Sequence, residues 1–235
     1  MMYGKKLAIA VALIALAGSS VAGVAQPANK LPHAWPRPGS MLLIDNDRGT
    51  AFNVVYKVGV PSPMHRHLYD FVGLDLNTAA IEVKDLKGKT GIGTVIKNDM
   101  WFLLKGEPHQ EMSVVEPGRH TVVIDIKAKR VPEATNTSSF PANKYARFQR
   151  KVADNDEIVI WNCAWAPGQE VLTSFNTRDM FLAFAEGGDL SIATPGQAPK
   201  VQHYEAGQAI FLPAGQVRSI RSAKGAVHAM LVEVK

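Results

Sequence analysis

The chain has 235 residues, 46% hydrophobic, 8% aromatic and 20% charged, a balance that disfavours disorder, collagen-like repeats and a polytopic membrane protein. Its formal charge is +5, yet no Lys/Arg run or basic-aromatic stripe accompanies the excess, so nucleic acid is not an expected partner. One cysteine, Cys163, excludes an intrachain disulfide framework and a cysteine zinc cluster, and its apolar strand context makes it a small core residue.

The N-terminus has the pattern of a secretory signal. Lys5 and Lys6 supply a positive start, residues 7–17 form an uncharged apolar run, and small residues follow up to Gly23-Val24-Ala25 before Gln26. The run is shorter than the ~20 residues of a spanning helix, so cleavage after Ala25 is expected rather than a retained anchor. No Cys follows it for lipid attachment. The expected location is a bacterial periplasm or the exterior, with no membrane contact after cleavage. Residues 26–40 form a proline-rich arm that cannot be regular helix.

From there the sequence repeats at an offset of 109 residues. Asp45-Asn46-Asp47 matches Asp154-Asn155-Asp156, Asn53 matches Asn162, Gly59 matches Gly168, and Asp70 matches Asp179. Phe102-Leu103 matches Phe211-Leu212, Gly106 matches Gly215, Ser113 matches Ser222 and Val123 matches Val232, all in one register without a gap. The division is residues 41–129, a linker at 130–149 rich in Pro, Asn, Ser and Thr, and residues 150–235. Residues 51–58, 100–104, 121–126, 157–164 and 226–234 are rich in Val, Ile and aromatics and read as strands, punctuated by Gly and Pro. Only residues 143–151 offer a short helix. The expected fold is all-β, two small tandem barrels or jelly rolls.

The chemistry concentrates in Gly59-Val-Pro-Ser-Pro-Met-His65-Arg-His67-Leu-Tyr-Asp70. Alternation across a strand puts His65 and His67 on one face, with Cα atoms ~6.6 Å apart, where two imidazoles can converge on one ion. A third imidazole follows at His109, and Glu111, two residues on, shares its face. Asp70 has the opposite parity. Its counterpart Asp179 sits in a half without histidines, so a structural role such as bonding backbone amides is expected of it. Tyr69, Phe71 and Trp101 lie near the three histidines in sequence as candidate substrate walls. His120 has the parity of Val122, Ile124 and Ile126 and is expected to face the first barrel's interior. His33, His203 and His228 have no partners by spacing.

These motifs resemble the cupin family, whose first motif is Gly-x5-His-x-His-x3-4-Glu-x6-Gly and whose second is Gly-x5-Pro-x-Gly-x2-His-x3-Asn. Unit one supplies Gly59, His65, His67, Gly106 and His109 at that spacing and departs from the pattern at Asn98, Leu104 and Ser113. Unit two supplies Gly168, Gly187, Gly207, Pro213 and Gly215, but Ser174, Asn176 and Arg218 replace the histidines. The resemblance implies a bicupin with one divalent ion per chain, Fe(II), Mn(II) or Zn(II), held by His65, His67 and His109. The glutamate position falls on Phe71 or Val72, leaving Asp70 and Glu111 as secondary ligand candidates. The second barrel is expected to be metal-free, with Arg218 in an internal ion pair or holding an acidic group. By the same resemblance the expected partner is a small molecule. The leading activity is an oxidoreductase of the dioxygenase type, the alternatives being a non-catalytic binding protein and a metal-dependent hydrolase or isomerase. The oligomeric state stays open, a homodimer included.

Overall fold

A computed structural model of the chain describes residues 31–127, 130–146, 148–170 and 172–235; the proposed signal lies outside them. The described residues contain seventeen strands and no helix. The first unit holds β1 (Ser40–Asp45), β2 (Gly49–Val55), β3 (Asp70–Asp75), β4 (Ala79–Asp85), β5 (Thr90–Val95), β6 (Met100–Leu103), β7 (His109–Ser113) and β8 (His120–Ile126). The second holds β9 (Phe148–Asp154), β10 (Ile158–Trp165), β11 (Leu172–Phe175), β12 (Asp179–Glu186), β13 (Gly188–Ala193), β14 (Lys200–Tyr204), β15 (Ala209–Leu212), β16 (Val217–Lys224) and β17 (Val227–Val234).

Each unit closes two antiparallel sheets face to face. The first has strand orders β1-β2-β8-β3-β6 and β5-β4-β7; the second has β9-β10-β17-β12-β15 and β14-β13-β16-β11. Corresponding strands occupy corresponding places, so the sequence repeat is a repeat of tandem jelly-roll barrels. The offset of 109 holds from β1 through β7 but falls to 108 in the last strand. Gly49 pairs with Ile126, whereas Ile158 pairs with Val234. Val123 therefore corresponds to Leu231 rather than Val232, and His120 corresponds to His228. One residue is absent from the turn before β17.

The repeat also reaches further back than the sequence alone suggests. Ala34 N donates to Arg66 O (3.0 Å) and Arg66 N to Pro32 O (3.1 Å); 109 residues later, Asn143 N donates to Phe175 O (3.0 Å) and Phe175 N to Pro141 O (2.9 Å). The proline-rich arm is thus the first wall segment of barrel one, and part of the segment read as a linker is the same segment of barrel two. Tyr145 and Ala146 are buried in the second core. The helix expected over 143–151 does not form. Asn143 has φ of 56°, outside the helical region, and residues from Phe148 onward pair with β10.

The large sheets pack on one another. Ala51, Val72, Leu74, Val122, Ile124 and Ile126 from barrel one share a core with Ile158, Ile160, Phe181, Met230 and Val232 from barrel two. β3 meets β12, β1 meets β15 and β6 meets β9, a pseudo-two-fold arrangement because β1 and β9, and β6 and β15, are repeat equivalents. The central strands β2, β3, β8, β10, β12 and β17 are therefore covered on both faces and read as largely apolar runs. This corrects the reading of His120. Its parity with Val122 and Ile124 turns it toward barrel two, not inward, and its Nε2 donates to Asn53 Oδ1 (2.8 Å). His228 donates likewise to Asn162 Oδ1 (2.7 Å). Asn53 Nδ2 continues across the junction to Gly207 O (2.9 Å). Gly207 has φ of +87°, and a Cβ there would lie 2.4 Å from that nitrogen, so only glycine fits.

Burial lowers the pKa of His120 and of His228; at His228, Lys97 adds to the effect and Glu186 opposes it. The unfolded chain therefore takes up protons near the ordinary value of 6.5 that the folded chain resists. Stability is present above that pH and is lost as pH falls below it. Thermal unfolding from pH 7.5 to 5 is expected to show this loss. The double variant His120→Gln/His228→Gln should flatten the slope, and an unchanged slope would refute the assignment.

Candidate metal centre

His65 and His109 form an antiparallel hydrogen-bonded pair, N to O at 3.0 Å in each direction, which sends both rings to one side of the wall. His67, two residues along, joins them. One ring nitrogen from each lies within 4.8 Å of the others, and His65 and His67 are buried. The Nδ1 atoms are already engaged: that of His65 donates to Pro63 O (2.8 Å) and that of His109 to Glu107 O (3.1 Å). That of His67 faces Asp125 Oδ1 at 3.4 Å. A carbonyl or carboxylate oxygen can only accept, so each Nδ1 carries a proton and Nε2 is the ring atom left to hold an ion.

Partners from distant segments orient this cluster. Asp125 on β8 stands behind His67, and its other oxygen faces His33 Nε2 at 3.5 Å. Arg37, from the arm, places Nη1 3.3 Å from both ring nitrogens of His65 and Nη2 3.3 Å from Glu111 Oε2. Burial, with the Arg37 charge and His109, pushes the His65 pKa down to about 3, so its imidazole is neutral. Burial alone would raise the Glu111 pKa, but Arg119, His109, Arg37 and the Tyr56 hydroxyl together hold it below the usual carboxylate range. Arg119 Nη1 donates to Glu111 Oε1 (3.1 Å) and its Nε to Asp75 Oδ1 (2.8 Å); Asp75 Oδ2 also accepts from Trp101 Nε1 (2.8 Å). Asp75, Arg119, Glu111 and Arg37 thus form an alternating chain of charges along the interior wall.

A cavity of about 650 Å³ adjoins His67 and His109. Trp35, Phe71, Trp101, Ile81, Val83 and Val95 make it largely apolar, and three acids without an ion pair among the described residues, Asp85, Asp99 and Glu107, line it too. Phe71 stacks on His67 with ring centroids 3.7 Å apart. Trp101 lies over Gly73, where a Cβ would fall 1.9 Å from the indole. Three imidazoles with Nδ1 atoms facing oxygen partners, and open space beside them, fit a divalent transition ion that keeps exchangeable positions.

No family model matches the chain, and no curated protein matches it. Solved structures do. A point mutant of Bacillus subtilis oxalate decarboxylase aligns with a TM-score of 0.57 at 12% identity, over 92% of this chain and 78% of that one. The same enzyme, in work on its Mn(II) centres, aligns with a TM-score of 0.53 at 10% identity, over 83% and 74%. A cupin 2 conserved barrel protein from Leptotrichia buccalis aligns with a TM-score of 0.50 at 12% identity, over 83% and 88%. The fold is that of a bicupin.

Within this fold the three predicted histidines converge, while the other candidates divide. Phe71 and Trp101 line the cavity. Tyr69 does not; its ring lies 6.1 Å from that of His33. Glu111 lines the cavity but belongs to the arginine network, outside the three-histidine group. Asp70 Oδ1 accepts from Lys105 N (2.7 Å), and Asp179 Oδ1 accepts from Ala214 N (2.8 Å) at the equivalent place. Both close the same turn. Arg218 has no acidic partner among the described residues, so the expected internal ion pair is absent; it bonds Pro213 O and Gln216 Oε1. Cys163 is fully buried, and burial pushes its thiol pKa up. Arg37, Asp75, Asp125 and Arg119 escaped the sequence reading, and His33, without a partner by spacing, faces Asp125 in the fold. The signal available was a charge inside an otherwise apolar strand, as with Asp75 in Phe71-Val-Gly-Leu-Asp75 and Asp125 in Val122-Val-Ile-Asp125.

Proposed function

We propose that this bicupin is a metal-dependent enzyme that holds one divalent ion on the Nε2 atoms of His65, His67 and His109. In the same reading it oxidises a small organic molecule seated in the adjoining cavity. The observation that carries this is the pairing of three convergent imidazole nitrogens with a largely apolar, aromatic chamber. Bound there, Fe(II) would supply O2 activation at its open positions. Phe71 and Trp101 would wall the substrate, Asp125 would hold His67 in its tautomer, and the Glu111–Arg119 pair would keep a fixed dipole toward the chamber. Two of the fold neighbours are forms of oxalate decarboxylase, which favours decarboxylation as a second reading. A small dianion, however, would leave an apolar chamber of this size mostly unfilled and would meet Asp85, Asp99 and Glu107.

The two readings separate by assay. Fe(II)-loaded protein is expected to consume O2 with some member of a panel of phenols, diketones and thiols. CO2 release from oxalate by Mn(II)-loaded protein, without O2 uptake on the panel, would replace the oxidative reading. Thermal stabilisation by a panel member without turnover would make the chain a binding protein. We also propose export, with the mature chain beginning near Gln26; intact mass of the exported protein tests it, and retention of Met1 would overturn it.

A further inference from the structure

The second barrel keeps a built polar site where its histidines would be. The cross-strand pair Ser174–Arg218 occupies the place of His65–His109. Asn176 stands two residues beyond Ser174, on the same face. All three are buried, with relative exposures of 2% for Ser174, 1% for Asn176 and 6% for Arg218. Arg37, Arg119 and Arg178 each pair with carboxylates, but among the described residues Arg218 meets only neutral acceptors, Pro213 O and Gln216 Oε1. On the face shared with Ser174, both the Nδ2 and the Oδ1 of Asn176 lack a hydrogen-bond partner among the described residues. A buried cation without a counter-ion and an amide with both groups unpaired are each costly alone. Together they describe one complementary molecule.

We infer that the second barrel binds a small hydroxycarboxylate, its carboxylate on the Arg218 guanidinium and its hydroxyl on the Asn176 amide. A guanidinium takes a carboxylate through two parallel N–H donors. The amide oxygen needs a donor and the amide nitrogen needs an acceptor, and a single hydroxyl supplies both. Ser174 stands opposite Arg218 at the edge of the same site. The inference is independent of what barrel one catalyses.

Titration calorimetry of the full chain with L-lactate and with propionate tests this, since the two differ by one hydroxyl. L-lactate is expected to bind at least tenfold more tightly. Arg218→Gln should abolish both, and Asn176→Leu should remove only the lactate advantage. His67→Ala, which disables the barrel-one cluster, should change neither. If Arg218→Gln does not fold, Arg218→Lys should weaken lactate at least tenfold, because an ammonium cannot take the carboxylate in two parallel bonds. Absence of saturable lactate binding, equal binding of the two acids, or retained binding in the Arg218 variants would overturn the inference. So would loss of binding in His67→Ala, which would place the ligand in barrel one.

Discussion

Replacing His67 by alanine is expected to abolish most of the stabilisation that a divalent ion confers on the folded chain. The cluster is preformed: His65 and His109 are fixed by reciprocal backbone bonds and all three Nδ1 atoms face oxygen partners. An ion that binds the folded state and not the unfolded one raises stability by mass action, ~4 kcal/mol at a thousandfold excess over its dissociation constant. Two imidazoles cannot hold the ion as three do, so the variant should unfold at nearly the same temperature with and without metal. Elemental analysis should return one ion per wild-type chain, because in barrel two Arg218 offers no lone pair to a metal and Ser174 and Asn176 are weak neutral ligands. Asp70→Asn should keep the metal, since Asn preserves the acceptor for Lys105 N. Acid should release the ion as protons compete for the imidazoles. Two ions per chain, or full metal retention in His67→Ala, would refute the assignment.

The sequence disclosed the part of this site that lies within short, patterned stretches. His65 and His67 share a strand face by period two, and His109 follows a glycine at a recognisable spacing. The repeat was legible because Asp45-Asn46-Asp47 and Phe102-Leu103 recur in one register. What escaped depends on which face of a strand turns inward. In β8, Val122, Ile124 and Ile126 are as apolar as an interior, yet they pack on barrel two, while Val123 lines the chamber and Asp125 stands behind His67. A sheet buried on both sides has no polar face to mark its orientation. The arm was hidden for another reason. Its prolines exclude helix but allow a wall segment, and only the recurrence of Pro32 as Pro141, bonded to equivalent partners, shows that it belongs to the repeat. His33, Trp35 and Arg37 reach the site by that route.

Arg119→Met is expected to destabilise the chain by about 3–5 kcal/mol, the range for breaking a buried ion pair by removing one partner. Arg119 lies against Asp75 and Glu111, with side-chain exposures of 7%, 1% and 12%, respectively. Without the guanidinium, the Asp75 carboxylate keeps only the Trp101 indole as a partner among the described residues, in a nearly dry wall. Glu111 suffers less, because Arg37 and Tyr56 still face it. The double variant Asp75→Leu/Arg119→Met removes the stranded charge as well as the cation. It should therefore be more stable than the single variant, an interaction that a double-mutant cycle in urea measures directly. Equal losses in the single and double variants would mean that Asp75 and Arg119 act independently. The cavity would then be shaped by its aromatic wall, Trp101 over Gly73 and Phe71 on His67, rather than by the charge chain that runs from Asp75 to Arg37.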